Sequence, residues 1–359
     1  MEFPVDPDIR KARTISTRVY LDPGVYEDSR ENIFARTWQF IGDADQIREP
    51  RWVTPVELLP GSLSEPLLLS RDEAGTLHCL SNVCTHRGNL LVEKPCRVND
   101  IRCCYHGRRF RLNGEFLSMP EFKEVQGFPS ENDNLHRLPV HQWGPWLFTT
   151  LTGSHPELFF GDMAKRLSWM DFSTFRFRPE LSRDYAVQAN WALYCENYLE
   201  GLHIPFVHSG LNAALDYGNY TTELFRYSNL QVGIAREGEM CFDLPEQSPD
   251  FGKQVGGYYF WVFPNMMFNF YPWGLSINIV KPTGPSTCTV SFLSYVSDED
   301  KLRQGIGANL HQVEMEDEAV VEGVQKGIRS RFYEHGRYSV TRETGTHHFH
   351  QLLSEFLNG

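Results

Sequence analysis

Two short segments of the chain combine cysteine with histidine. The first is Cys84-Thr-His86 and the second is Cys103-Cys-Tyr-His106, with 16 residues between them. Zinc fingers usually carry two cysteines on one arm and two histidines on the other, whereas each arm here carries one of each. Mixed arms suit a [2Fe–2S] cluster with two thiolates on one iron and two imidazoles on the other, because each arm then reaches both irons. The donor set therefore favours an iron–sulfur cluster.

Glycines sharpen this interpretation. Gly88 and Gly107 follow the two histidine-bearing turns, where the backbone has to pass close to a cluster and a residue without Cβ is needed. Two alternatives remain, a structural zinc site and buried thiols beside unrelated histidines. The complete spacing favours the cluster over both.

A second group of chemically capable residues begins at Glu200. His203 follows three residues later, on the same face of a predicted helix, and His208 lies five residues beyond His203. An unbroken helix would splay the two imidazoles, but Pro205 disfavours helix at Ile204, so the chain can turn and bring His208 to the same metal. Two histidines alone are more often explained by capping or packing.

A carboxylate strengthens the metal interpretation. Asp317 lies at the centre of an apolar stripe at helical spacing, and three glutamates are predicted to lie off it; the stripe is Leu310, Val313, Val320, Val321 and Val324, and the glutamates are Glu314, Glu318 and Glu322. A carboxylate on a buried face needs a metal or a cation. A buried ion pair with an arginine would satisfy it. Otherwise His203, His208 and Asp317 form the two-histidine, one-carboxylate set that leaves positions open on Fe(II).

Composition excludes several classes of protein. The 359 residues are 41% hydrophobic, enough for about two domains with sizeable cores. A net charge of −12 disfavours nucleic-acid binding. The first 20 residues lack the apolar core of a signal peptide, and no run approaches the roughly 18 apolar residues of a membrane span. Eight cysteines are too few for a disulfide framework, so a cytoplasmic location is expected.

The pattern of elements predicts an α+β architecture with an antiparallel sheet in each half. Short strands punctuated by Gly and Pro fill residues 38–155, and two of their loops carry the cysteine–histidine segments. Beyond Pro156 we predict a helix over 190–202, aromatic strands over 258–296, and a long helix that starts near Ser297 or Asn309 and ends near Lys326. Helices then cover an antiparallel sheet. The predicted domains are an N-terminal segment, 1–37, and two domains, 38–155 and 156–359.

With these motifs in hand, the chain resembles the catalytic α subunit of the Rieske non-haem iron oxygenases, in the ring-hydroxylating and choline-monooxygenase-like group. The resemblance runs from Trp38-Gln-Phe-Ile-Gly42 through both cysteine–histidine loops to Glu316-Asp317 and Gln325-Lys-Gly327. It implies a Rieske β domain and a helix-grip catalytic domain. It also implies cluster ligands Cys84, His86, Cys103 and His106, Fe(II) ligands His203, His208 and Asp317, and catalytic roles for Glu200 and Asn197.

The resemblance further implies how such a protein works. Oxygen and a small organic substrate react at Fe(II), with electrons delivered by the Rieske cluster of a neighbouring subunit in a homotrimer. Glu200 is expected to link the two metal sites through histidine ligands of both. Gly305-Ile-Gly307 lacks the third glycine of a dinucleotide fingerprint. A separate NAD(P)H-dependent flavin or iron–sulfur reductase, acting directly or through a ferredoxin, is therefore the expected electron source.

Departures from the family pattern occur beside both sites. Arg108-Arg109 stands where the family commonly has tryptophan, which predicts charge near the rim of the cluster. The bridging acid is Glu200 where aspartate is frequent, and glutamate there is similar to the carnitine-oxygenase branch.

The substrate is open between two classes. Six aromatic residues crowd the central strands, namely Trp261, Phe263, Phe268, Phe270, Tyr271 and Trp273, and strand alternation lets about half face a pocket. An aromatic cage would bind an N-methylated or quaternary amine, and the same walls would hold a flat aromatic ring. The choline-like resemblance favours the amine, with an aromatic ring-hydroxylating dioxygenase as the alternative. A pure iron–sulfur electron carrier or a zinc scaffold would not need Asp317.

Overall fold

The computed structural model describes residues 2–302 and 304–359, and the chain forms two compact units. One unit is Ala35–Ser154. The other combines the segment up to Phe34 with His155–Gly359.

The unit Ala35–Ser154 is built from short antiparallel strands. Three sheets have the orders β5-β2-β3-β4-β9, β1-β11-β10 and β6-β7-β8. The strands are β1 (Gln39–Asp43), β2 (Trp52–Leu58), β3 (Glu65–Arg71), β4 (Leu77–Ser81), β5 (Cys96–Arg97), β6 (Ile101–Arg102), β7 (Arg109–Phe110), β8 (Phe116–Ser118), β9 (Arg137–Leu138), β10 (Val140–Trp143) and β11 (Trp146–Thr149).

The core of this unit includes two of the candidate cluster ligands. Cys84 and Cys103 pack in one hydrophobic cluster with Val53, Leu68 and Phe110, among others. Cys84 follows β4, and Cys103 lies in the loop between β6 and β7, whose residues Arg102 and Arg109 pair across the turn. The sheets therefore fix the base of each loop.

A single antiparallel sheet dominates the second unit. Its order is β12-β19-β18-β17-β16-β15-β14, and β13 also pairs with β19. The strands are rich in Val, Ile, Phe, Tyr and Trp, which favour extended backbone. They are β12 (Arg176–Phe177), β13 (Arg183–Val187), β14 (Thr221–Leu224), β15 (Ser228–Ile234), β16 (Val255–Val262), β17 (Met266–Tyr271), β18 (Gly274–Gly284) and β19 (Thr287–Val296).

Helices pack against this sheet, and two of the longer ones, α4 and α7, begin with a side-chain cap. The side chain of Asn190 caps α4 by accepting a hydrogen bond from the Ala192 N–H at 2.9 Å, and Asn309 caps α7 in a similar way. Helix α4 contacts both β18 and α7. The helices are α1 (Arg18–Leu21), α2 (Pro23–Ser29), α3 (Glu157–Arg166), α4 (Trp191–Tyr198), α5 (Ile204–Val207), α6 (Ser209–Ala214), α7 (Leu310–Gly327) and α8 (Thr344–Asn358).

The N-terminal segment is held by α8 and α4. The hydroxyl of Tyr20 lies 3.2 Å from His350 Nε2, and the ring of Phe34 lies edge-on to Trp191 at 4.8 Å. The segment thereby covers part of the hydrophobic surface of these helices.

The register of the sheet gathers polar side chains onto one face. Gln231 pairs with Tyr259, Tyr259 with Asn269, and Asn269 with Ser276. Paired residues in an antiparallel sheet project to the same side, so these four form a row across β15 to β18. Such a row inside a buried sheet marks the place where a polar site can be built.

A membrane-spanning helix has to be both long and apolar. None of the helices in the described part of the chain is long and apolar enough to cross a bilayer.

Gly345 provides a test of how closely α8 packs against the end of α4. A Cβ at this position would lie 2.3 Å from the carbonyl oxygen of Leu199, the residue directly after α4. We expect Gly345→Ala to lower the free energy of unfolding by about 1–3 kcal/mol, because the backbone has to shift. The measurement is thermal unfolding followed by circular dichroism.

The control is Gly323→Ala in the middle of α7, where a Cβ meets no atom within 4 Å. We expect this change to stabilise the protein by about 0.5–1 kcal/mol, since alanine favours helix over glycine. Equal melting temperatures for the two variants would contradict the close contact at Gly345.

Candidate functional site

The two cysteine–histidine loops share one backbone geometry. In each loop the cysteine N–H donates to the carbonyl five residues on, and the glycine N–H donates back to the cysteine carbonyl. The distances are 2.9 Å for Cys84 to Asn89, 2.8 Å for Cys103 to Arg108, 2.9 Å for Gly88 to Cys84 and 3.0 Å for Gly107 to Cys103. Both glycines have positive φ, +70° and +73°, which a residue with a side chain rarely adopts.

The four side chains of these loops converge. The rings of His86 and His106 lie 4.7 Å apart, and both Cys84 and Cys103 are buried. His106 Nδ1 is buried and has no hydrogen-bond partner within residues 2–302 and 304–359. Because an unpaired buried nitrogen is costly, this atom fits a bond to a metal, and the donor set fits a [2Fe–2S] cluster.

Electrostatics around the thiols also suits a bound metal. Burial alone would raise the pKa of Cys103, but the N–H groups of Tyr105 and His106 and the thiol of Cys84 outweigh it and lower this pKa. Burial raises the pKa of Cys84. Backbone donors aimed at one of two paired sulfurs favour its thiolate form.

Arg108 is buried beside the second cysteine–histidine loop. The guanidinium donates to Asp133 Oδ1 at 2.7 Å, and lies 5.0–5.6 Å from the ring centres of Phe110, Phe116 and Phe128. Burial and nearby positive charges, that of Arg108 among them, lower the pKa of His86, so the charge of Arg108 acts on a candidate cluster ligand from a buried position. Arg109 is exposed and pairs with Asp100.

The chain path around His203 differs from the predicted one. Helix α4 ends at Tyr198, four residues earlier than expected, and Pro205 lies in the first turn of α5 instead of terminating a helix. Proline suits a first helical turn because its missing N–H needs no partner there. Glu200 forms the intervening turn, since its Oε2 accepts hydrogen bonds from the N–H groups of Leu202 and His203.

The structure brings His203, His208 and Asp317 together. One ligand atom from each lies within 4.8 Å of the other two. Asp317 Oδ1 is 2.9 Å from His208 Nε2 and 3.6 Å from His203 Nε2. These three atoms face a common point and fit a mononuclear iron with open positions.

A carboxylate contacts Nδ1 of each imidazole ring, the nitrogen that faces away from Asp317. His203 Nδ1 lies 2.6 Å from Glu200 Oε1, and His208 Nδ1 lies 2.8 Å from Glu316 Oε2. Such contacts keep the proton on Nδ1 and leave the Nε2 lone pair for a metal. Sequence reasoning missed the role of Glu316, although its place beside Asp317 was a usable signal.

Asn197 touches the candidate ligand Asp317. Its amide Nδ2 donates to Asp317 Oδ1 at 2.6 Å. This contact restrains one carboxylate oxygen of Asp317.

The buried face of α7 is not the predicted apolar stripe. Val320 and Val324 are exposed, whereas Glu314, Val321 and Gln325 are buried. Glu314 was predicted to lie off the buried face, and that prediction was wrong. Asp317 lies between Glu314 and Val321 along the same face, so this face contributes two carboxylates to the site, and the neighbouring Glu316 adds a third from α7.

A cavity opens beside the three candidate ligands. The volume that the centres of water molecules can occupy in it is about 110 Å³, several times the volume needed for one water molecule. Five tyrosines and Phe292 line it; the tyrosines are Tyr194, Tyr198, Tyr220, Tyr259 and Tyr271. Burial raises the pKa of each of these five tyrosines above its ordinary value, so they remain neutral phenols.

Of the six aromatic residues considered from the sequence, Tyr271 alone lines this cavity. Trp261 packs edge-on against Phe349 of α8 at 5.2 Å, and Trp273 stacks on Tyr271 at 5.3 Å. Tyr194 and Tyr198 were missed, although their spacing from Asn197 on α4 places all three on one helix face.

Cys103 and its neighbour Cys104 offer a matched test of the cluster ligands. Cys103 is buried, whereas Cys104 is exposed. We expect Cys103→Ser to abolish the visible absorption of the cluster, because serine does not replace a thiolate ligand, and Cys104→Ser to retain it. Bleaching of both variants to the same extent would exclude this assignment of Cys103.

Asp317→Ala tests the second metal. Iron content is expected to fall from roughly three to roughly two atoms per chain, with the visible spectrum of the cluster unchanged, because only the mononuclear site loses a ligand. The control is Glu318→Ala, which removes a neighbouring carboxylate of α7 outside the trio and should keep all the iron. Loss of the cluster spectrum in Asp317→Ala would instead assign this residue to folding.

Known proteins resemble both units. Residues 37–129 match the family model described as Rieske [2Fe-2S] domain, and residues 174–359 match the ring hydroxylating alpha subunit (catalytic domain). The chain is 31% identical to a chloroplastic choline monooxygenase of Arabidopsis thaliana, covering 98% of this chain and 85% of that protein. It is 25% identical to the carnitine monooxygenase oxygenase subunit of Escherichia coli K12, covering 96% and 94%.

Solved structures share the fold. A quaternary ammonium Rieske monooxygenase in complex with L-carnitine has a TM-score of 0.77 at 23% identity, covering 98% of this chain and 97% of that one. Naphthalene 1,2-dioxygenase has a TM-score of 0.72 at 18% identity, covering 97% and 92%. The predicted fold class, a Rieske β domain with a helix-grip catalytic domain, is confirmed, and so are the two cofactors. The chain belongs to the Rieske non-haem iron oxygenases and has the two domains of a catalytic α subunit.

Proposed function

We propose that this oxygenase hydroxylates a small N-methylated or quaternary amine. The observation that carries the proposal is the tyrosine-lined cavity beside His203, His208 and Asp317, with the Glu314 carboxyl group in its wall. The similarity to choline and carnitine monooxygenases supports the same substrate class.

The chemistry of the cavity wall suits a cation. Aromatic faces attract ammonium groups through the ring quadrupole, and the attraction strengthens when water is excluded. Methyl groups on nitrogen spread the charge over an apolar surface that packs against rings. A neutral aromatic hydrocarbon would gain only the packing, and it would leave Glu314 Oε1, which accepts no hydrogen bond from the described residues, beside an apolar surface.

The proposed ligand assignment follows the geometry. Cys84, His86, Cys103 and His106 would hold the [2Fe–2S] cluster, and His203, His208 and Asp317 the mononuclear iron. When bound there, the cluster supplies single electrons and the iron activates O₂ for insertion of one oxygen atom into a C–H bond of the substrate, with the second oxygen leaving as water.

Residues of the chain prepare the site for that chemistry. Glu200 and Glu316 hold the Nδ1 protons of His203 and His208, which orients both rings. Asn197 fixes Asp317 Oδ1. The tyrosines exclude water and hold the substrate beside the ligand trio, so that the reacting carbon is positioned before oxygen reacts.

Electron supply completes the proposal. Gly305–Gly307 forms a single short turn, and Ile306 in its middle packs in a hydrophobic cluster with Tyr271 and Trp273. This use of the two glycines is structural, which supports a separate NAD(P)H-dependent reductase as electron donor. A homotrimer, in which Glu200 also accepts a hydrogen bond from a cluster histidine of the neighbouring subunit, is the proposed assembly.

A turnover assay tests the function. The purified protein is combined with a surrogate reductase, NADH and ¹⁸O₂, and offered choline, carnitine, γ-butyrobetaine or naphthalene. We expect oxidation of at least one of the amines, with a single ¹⁸O atom in the initial product by mass spectrometry, and none without reductase. A dihydrodiol from naphthalene with no amine product would instead establish the aromatic ring-hydroxylating alternative.

A further inference from the structure

Glu314 is an unusual carboxyl group in this chain. Its side chain is 2% exposed and belongs to the wall of the cavity. The hydroxyl of Tyr194 donates to Oε2, whereas Oε1 is buried and accepts no hydrogen bond from any residue in the described part of the chain. One oxygen is thus fixed by α4 while the other is left unsatisfied.

Another buried carboxylate shows how this protein normally satisfies such a group. Asp250 is fully buried, and its carboxylate accepts hydrogen bonds from Arg166, Lys253 and the hydroxyl of Tyr258 at 2.7–3.0 Å. These cations keep the pKa of Asp250 low despite burial. Glu314 accepts one hydrogen bond, from a neutral hydroxyl. The described residues therefore neutralise the charge of Asp250 but not that of an ionised Glu314.

The surroundings of Glu314 explain what is missing. The described residues that line the cavity include no lysine or arginine, and the charged groups among them are carboxylates and the two candidate histidine ligands. Burial raises the pKa of Glu314 to about 8. A cation in the cavity would restore the ionised form, because opposite charges attract strongly where water is excluded.

We propose that Glu314 is the counter-ion that selects a positively charged substrate, with Tyr194 positioning its carboxyl group. The inference rests on the proposed function and assigns its charge recognition to one residue. The ligand class is a compact organic cation whose methyl groups contact the tyrosines while its charge is balanced across the cavity wall by Glu314. No hydrogen bond from the ligand is required, since the interaction is between charges.

The test compares a cation with a neutral molecule of the same shape. Choline and 3,3-dimethylbutan-1-ol differ by the replacement of the quaternary nitrogen with carbon. Their dissociation constants are measured by calorimetry on the holoenzyme without reductase, so that no turnover occurs. We expect wild type to prefer choline, and Glu314→Gln to bind choline about 10- to 100-fold more weakly while binding of the alcohol changes less than about threefold.

Two further variants guard the interpretation. Glu318→Gln removes a carboxylate of α7 that does not line the cavity and should leave the preference for choline intact. The hydroxyl of Tyr194 holds the Glu314 carboxyl group and lowers its pKa. Tyr194→Phe removes this hydroxyl, so the preference for choline should weaken in this variant as well. This second variant decides the matter if Glu314→Gln fails to fold.

The outcomes separate the inference from the function on which it rests. If wild type prefers choline and Glu314→Gln retains that preference within threefold, Glu314 is not the counter-ion and the proposed function stands. If wild type binds the alcohol with the same affinity as choline, both the proposed substrate class and the inference are overturned. Loss of the preference in Glu314→Gln but not in Glu318→Gln supports the inference.

Discussion

The catalytic unit depends on keeping two imidazole rings turned so that Nε2 of each faces Asp317. Carboxylates impose this orientation from behind, Glu200 on His203 and Glu316 on His208. The five groups come from two distant parts of the chain. The turn between α4 and α6 and the buried face of α7 therefore have to be held in fixed relation, and the large sheet with the helices packed on it provides that support.

Burying so many polar groups has an energetic cost that the fold meets in different ways. Most are paired within the protein, as Asp250 is with Arg166 and Lys253. The buried atoms without partners in the described part of the chain include one at each candidate site, His106 Nδ1 in the Rieske domain and Glu314 Oε1 in the cavity wall. Because an unsatisfied buried atom destabilises a free protein, a bound group that contacts either atom would offset this cost.

The two candidate metal sites differ in how much of each is formed by residues close together in the sequence. Each cluster loop is closed by its own backbone hydrogen bonds within six residues, and a glycine of positive φ lies at its end. Arg108, in the second loop, is held by residues outside the loop. Its guanidinium contacts Asp133 and three phenylalanine rings, which belong to β7, β8 and the segment that follows β8.

The sequence by itself determined the family, the antiparallel α+β class and the candidate ligands, because residue type and short spacing decide which groups can share a metal. It did not determine which face of α7 is buried, since Glu314 and Val320 exchange their expected environments once α4 packs against that helix. Nor did it determine the cavity wall. Trp261 and Tyr259 project from the same face of β16, yet Phe349 of α8 covers Trp261 and leaves Tyr259 to the cavity. Strand alternation fixes a side, but only packing between distant elements decides what fills it.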